Sequence, residues 1–306
     1  MTELDSIVGC NFDLIISHKD QHPDIAKETF ALAKTIQSKG VNVILTPYSW
    51  PRDSLFFPDS NSFIYVNPTK KDQVKDAPHL GWYGGAYLLG DDFMIADSHG
   101  IGIKRQETLN ALKVSKGFYI DTQKFYDDFK HIVVSGNDRF HHPESFHIDP
   151  YFNIGNLKKI LFTYDVSSLI EEGIRVAKEV KYDLVPLPLE DAKYAAIGFI
   201  ELGDHIVIDC RAKKSMKIIE NLGYTIIPTN EPLIRINQLD GSLRCSTKEA
   251  PLIKHKMKFH SFQYGYNKEG PAYGSFFGNL EGNMMIMDDS KTRKLREPLF
   301  SFKYYG

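Results

Sequence analysis

The chain has 306 residues, 42% of them hydrophobic, 25% charged and 12% aromatic, a globular composition with enough apolar side chain to bury a large core, which excludes intrinsic disorder. Lys plus Arg number 37 against 39 Asp plus Glu, a net charge of -2 with no long run of either sign, so the concentrated basic face that nucleic acid demands is missing and no nucleic-acid partner is expected. Cys10, Cys210 and Cys245 are odd in number and far apart, which fits neither a disulfide framework nor a zinc knuckle and points to a reducing cytoplasm, and neither a basic leader at residues 1–11 nor a membrane-length apolar run is present.

In chain order, residues 22–38 read as a helix that leads into a strand at 41–46, with Gly40 where a helix C-cap prefers glycine. Residues 54–57 and 62–66 make a loose pair of strands. A clearer hairpin spans 86–96, with Gly90 and Asp91 in the turn, and is followed by a helix at 107–113 and a strand at 131–135. A third hairpin at 151–163 puts Gly155 and Asn156 in the turn, ahead of a helix at 167–180 and a strand at 183–187. The fourth, 199–209, turns at Gly203 and Asp204 and leads to a helix at 212–222, Gly223 and a strand at 224–228. A fifth begins at Cys245. Strand, turn, strand, helix, strand thus recurs along the chain, in units of approximately 10–78, 79–140, 141–190, 191–240 and 241–306, the last completed by the N-terminal strand. The bland alternative is an α/β domain without internal symmetry.

Reactive residue types stand just before the hairpins: Trp50, Pro51, Arg52 and Asp53; Trp82, Tyr83, Gly84 and Gly85; Phe146, His147, Ile148 and Asp149; Asp191, Ala192, Lys193 and Tyr194; Leu243, Arg244 and Cys245. Units arranged about a pseudo-axis would bring corresponding strand starts to one end of it, and with them Asp53, His147, Asp149 and Cys245.

These motifs resemble the pentein superfamily, which contains arginine and agmatine deiminases, dimethylarginine hydrolases and amidinotransferases. Residues 50–53 resemble the Arg-Asp motif of the deiminases, 83–86 their Glu-Gly-Gly turn, 147–149 their His-x-Asp, and 241–247 the glycine-led segment that holds the nucleophilic cysteine. Residues 146–155 are also similar to the amidinotransferase version of the motif. The resemblance implies a single catalytic domain over 1–306, an α/β fold of the pentein type in which ββαβ units form a pseudo-fivefold propeller. It implies a small guanidino substrate and no cofactor. Cys245 would be the nucleophile and His147 the proton donor, with Asp53 and Asp149 on the guanidinium nitrogens and Arg52, Tyr83, Gly84 and Gly85 lining the pocket.

Each residue also has a plainer reading. Cys245 alone would be buried packing. His147 would be a satisfied core histidine or, with His141 and His142, a weak zinc cluster; Asp53 and Asp149 would cap turns; Gly84 and Gly85 would be turn glycines; Arg52 would pair with a buried carboxylate. The sequence also departs from the family at Tyr83, where an acid is expected, and at Ala86. Either Glu144 or Asp191 replaces the acid, or the substrate differs from arginine, or the chain is a non-deiminase member. The competing functions are a non-catalytic binding protein on the same fold and a Cys-His hydrolase of amides. Residues 259–306, rich in Tyr, Phe and Gly, would close over the site, mediate a homodimer, or pack as a last strand and helix.

Overall fold

The computed structural model describes residues 12–17, 23–41, 43–46, 51–59, 62–66, 85–98, 105–129, 147–238, 241–251, 258–262 and 284–286. In chain order the elements are β1 (Phe12–Ser17), α1 (Pro23–Gln37), β2 (Val43–Thr46), α2 (Pro51–Ser54), β3 (Leu55–Asp59), β4 (Ser62–Val66), β5 (Tyr87–Leu89), β6 (Phe93–Asp97), α3 (Arg105–Leu112), β7 (Lys116–Ile120) and α4 (Tyr126–Phe129). There follow β8 (Phe152–Gly155), β9 (Ile160–Tyr164), α5 (Ser167–Val180), β10 (Asp183–Leu187), β11 (Ile200–Leu202), β12 (His205–Ile208), α6 (Lys213–Asn221), β13 (Thr225–Pro228), α7 (Ile234–Gln238), β14 (Thr247–Pro251), β15 (Lys258–Phe262) and β16 (Met284–Ile286).

Among the described residues the strands form five small sheets. Three share one plan: an antiparallel hairpin, a helix, and a third strand that returns parallel to the hairpin's second. They are β5–β6 with β7, β8–β9 with β10, and β11–β12 with β13. The fourth joins distant parts of the chain to the same plan. There β14 lies antiparallel to β1, with Thr247 opposite Ile16, and β2 lies parallel to β1 after helix α1. On the far side of β2 runs β16, also parallel. In the fifth, the β3–β4 hairpin takes its parallel third strand from β15, almost two hundred residues onward by chain order.

The four hairpins expected from 54–66, 86–96, 151–163 and 199–209 are all formed, and Gly40 and Gly223 both follow helices at a φ of 80° that disfavours any side chain. Two details differ. The 151–163 hairpin closes through a four-residue turn at 156–159, so Gly155 ends β8 instead of sitting in the turn. The strand after α3 is β7, whereas the expected strand at 131–135 lies outside the described residues. β7 escaped notice because Lys116 and Gly117 dilute its apolar signal, leaving only Phe118 and Ile120 buried.

Alternation along single strands divides the core. In β12, Ile206 and Ile208 face the largest cluster while Val207 faces a second one with β1, α1 and α7. In β6, Phe93 and Ile95 join the large cluster while Met94 and Ala96 pack under α3 against Leu109. Helix α5 presents Leu169, Gly173, Val176 and Ala177 to the large cluster, the i, i+4, i+7, i+8 stripe of an amphipathic helix. Edge-to-face aromatic pairs such as Phe162 with Phe199, 5.0 Å between centroids at 87°, fix the packing there. The loops that enter the hairpins are thereby held by a rigid frame.

Candidate active site

Cys245 lies in a turn over residues 243–246 that runs directly into β14. The turn is tied by its own hydroxyls: Ser246 Oγ donates to Ser242 O, and Thr247 Oγ1 lies within bonding distance of Leu243 O and Arg244 O. Ser242 Oγ accepts from Cys245 N at 3.3 Å and donates to Cys245 Sγ at 3.4 Å, using one hydroxyl as both acceptor and donor. The whole turn lies on the 3-10 segment Ala196–Gly198. Arg244 N donates to Gly198 O, and a Cβ on Gly198 would stand 2.4 Å from Ser242 Cβ.

His147 and Asp149 flank Ile148, which is fully buried and anchors the turn entering β8. Gly85 O accepts from both Ile148 N, at 2.7 Å, and Asp149 N, at 3.1 Å. The same glycine lies under the histidine ring: a Cβ there would be 2.4 Å from His147 Nδ1 and 2.9 Å from Asp149 Oδ1. His147 Nδ1 is 3.7 Å from Asp149 Oδ1, and Cys245 Sγ is 3.9 Å from Asp149 Oδ2, within reach of a long S–H donation. Thus a sulfur and an imidazole from distant parts of the chain meet the two oxygens of one buried carboxylate.

Two arginines stand behind this group. Arg52, from α2, donates through Nη2 to both oxygens of Glu249 at 2.8 and 2.9 Å and through Nε to Arg244 O. Burial works against the Arg52 charge, but the Glu249 carboxylate outweighs it and holds the guanidinium above its ordinary value. Burial would likewise raise Glu249, yet Arg52 and then Arg244 hold its carboxyl down at about 2. Arg244 is placed differently. Its Nη1 donates to Asn153 Oδ1 at 2.7 Å, and Asn153 in turn donates to Ile197 O and Phe199 O. Its Nε has no hydrogen-bond partner among the described residues and points at Asp149 Oδ2 from 3.9 Å. Burial, then the nearby Arg52 charge, pulls the Arg244 guanidinium down to about 10.

Of the residues expected from the sequence, Cys245, His147, Asp149, Gly85 and Arg52 come together here. The backbone of Asp53 lies in α2, one residue after Arg52. Tyr83 and Gly84 lie outside the described residues, as do His141, His142 and Glu144. Asp191, the other acid offered for the Tyr83 position, is a helix cap: its Oδ2 accepts from Ser215 N and Ser215 Oγ, both at 2.8 Å, at the start of α6. Among the described residues no cluster of three or more His, Cys, Asp or Glu is arranged to hold a metal ion. Sequence reading gave no role to Ser242, Arg244 or Asn153. The first two stand close to the cysteine, and polar residues flanking a nucleophile were the available signal; Asn153 offered none, since the carbonyls to which it donates are 44 and 46 residues away.

No family model and no curated protein matches the sequence. Solved structures do match by shape. A dimethylarginine dimethylaminohydrolase, as its adduct with 4-chloro-2-hydroxymethylpyridine, superposes with a TM-score of 0.53 at 13% identity, over 78% of this chain and 99% of its own. An agmatine deiminase from C. jejuni gives 0.52 at 14% identity, over 82% and 95%. An arginine dihydrolase from the ornithine-ammonia cycle in cyanobacteria gives 0.52 at 14% identity, over 78% of this chain and 39% of its own. At such identities the likeness is one of fold.

Proposed function

We infer that this chain, whose mixed α/β fold is that of the pentein enzymes, is a cysteine-dependent enzyme acting on a small guanidino compound, by deiminase-type hydrolysis or amidino transfer. One observation bears the most weight: Cys245 Sγ and His147 Nδ1 both contact the buried Asp149 carboxylate. The structural neighbours named above are guanidino-group hydrolases, and the recurrent hairpin-helix-strand sheets support a pseudo-fivefold arrangement with the site at one end of its axis.

A guanidinium carbon is a poor electrophile because three nitrogens share its charge, so attack calls for a thiolate held in line. Asp149, with Asp53, would accept hydrogen bonds from the substrate nitrogens and set the carbon over Cys245 Sγ. Sulfur adds to the carbon. His147 gives a proton to the departing amine as the tetrahedral adduct collapses to a covalent thiouronium. Water then adds to the same carbon, His147 takes up its proton, and the ureido product leaves with Cys245 restored; an amine in place of water gives a new guanidine.

Arginine, agmatine, methylarginines and guanidino acids should be assayed for ammonia or amine release and for ureido product. Cys245→Ala should lower turnover on the accepted substrate by about 10⁴-fold or more. A haloacetamidine should label Cys245 ahead of Cys210, and substrate should protect. Turnover that survives Cys245→Ala, or labelling with no preference, would defeat the assignment.

A further inference from the structure

Arg52 is buried and the Arg244 side chain is 14% exposed, yet their partners differ more than their burial. Arg52 owns a carboxylate, held by two short hydrogen bonds. Arg244 has a neutral anchor, Asn153, and its remaining charge faces Asp149 Oδ2, the oxygen that also faces Cys245 Sγ. A guanidinium largely out of water with no carboxylate hydrogen-bonded to it costs stability, and the fold holds it there with a rigid strut: Asn153 is clamped by two carbonyls of the Ala196–Phe199 region, and the Arg244 backbone is fixed to Gly198. The charged and titratable groups facing Cys245 among the described residues are Arg244 and Glu249 on its own segment, Arg52 from α2, and His147 and Asp149 from the turn before β8. Apart from His147, the two guanidinium groups balance the two carboxylates. Removing Arg244 would leave that group net negative before the sulfur had ionised.

We propose that Arg244 is a positioning residue whose guanidinium, set against Asp149 Oδ2, offsets the carboxylate charge that faces Cys245, so that the sulfur is a thiolate before any substrate arrives. The proposal rests on the reading of Cys245 as the reacting sulfur. The thiol proton passes to solvent, and the thiolate left behind accepts from Ser242 Oγ, with the Arg244 guanidinium set against Asp149 Oδ2 beside it. Both buried Arg charges are strengthened by a negative charge at Cys245. A consequence for substrate choice is that the compound need not be cationic to arm the sulfur, and neutral amidines fall within its range.

The test needs no substrate. In the full-length protein, the rate of Cys245 alkylation by iodoacetamide, followed by peptide mass, is measured against pH alongside the far-ultraviolet thiolate absorbance, with Cys245→Ser as the blank. Wild type is expected to react as a thiolate at neutral pH. Arg244→Gln should move the midpoint upward by about one to two pH units, the usual effect of a neighbouring charge. Arg244→Lys should restore most of it, which a purely structural role would not do. Arg244→Met serves if the glutamine variant does not fold. A wild-type midpoint at the ordinary thiol value, or coincident profiles for wild type and a folded neutral variant, overturns the proposal. Because these readouts ignore turnover, a low midpoint with no activity on any guanidino compound would remove the functional reading and leave this one standing, and the converse would do the reverse.

Discussion

A methyl group added to Gly85 would strike His147 Nδ1 and Asp149 Oδ1 at once. Gly85→Ala should therefore displace the imidazole and carboxylate and cost about 10²-fold in kcat/KM, in keeping with catalytic groups moved by about an ångström, with a small change in melting temperature. The Glu249 carboxyl supplies a second prediction. It is held at about 2 in the fold against an ordinary 4.5, so its contribution to stability is complete above about pH 5 and is lost as pH falls towards 2. Glu249→Gln should melt below wild type at neutral pH, and the gap should narrow as pH is lowered through that window. The coming together of Cys245, His147, Asp149 and Gly85 was legible in the sequence because each stands just ahead of a hairpin or, for Cys245, of the strand β14 that pairs with distant β1, a place that repetition marks. Arg244 and Asn153 were not, because their importance comes from one contact between segments that periodicity does not relate.

Among the elements, helix α6 shows how a buried acid can look catalytic in sequence and be structural in space. Asp191 stands before its hairpin as His147 does, but its carboxylate is bonded to the first turn of α6. Asp191→Ala should cost about 1–2 kcal/mol, the range for a lost helix cap, measured by denaturant unfolding, and should leave kcat/KM unchanged. A large drop in activity with unaltered stability would instead return Asp191 to the site. Hairpins were readable because turn glycines and apolar alternation are local signals. The third strands were less so: β7 has a weak pattern, and β15 pairs with β4 across most of the chain, a partnership that no local pattern encodes. Helix α5, with its clear apolar stripe, was read to the residue, and α1 and α6 to within one residue at each end.

At the scale of the molecule, β14 is laid against β1, and the turn that bears Cys245 runs straight into β14. Pairings between distant segments form slowly, because loop closure precedes any reward. In refolding from denaturant, helical circular dichroism should accordingly return before Cys245 regains its rapid alkylation, and the lag should lengthen in Ile16→Ala, which removes a fully buried side chain opposite Thr247. Simultaneous recovery of the two signals would count against this order.

That pairing also times the chemistry during synthesis. While the ribosome is still translating, β1 has been made but its partner has not, so an emerging chain can build several of its sheets with no sulfur yet in place. On the proposed reading of Cys245, its thiol is among the late parts to be installed and would acquire its aim only when the chain's early strand receives it, so that a half-made protein would carry no armed cysteine.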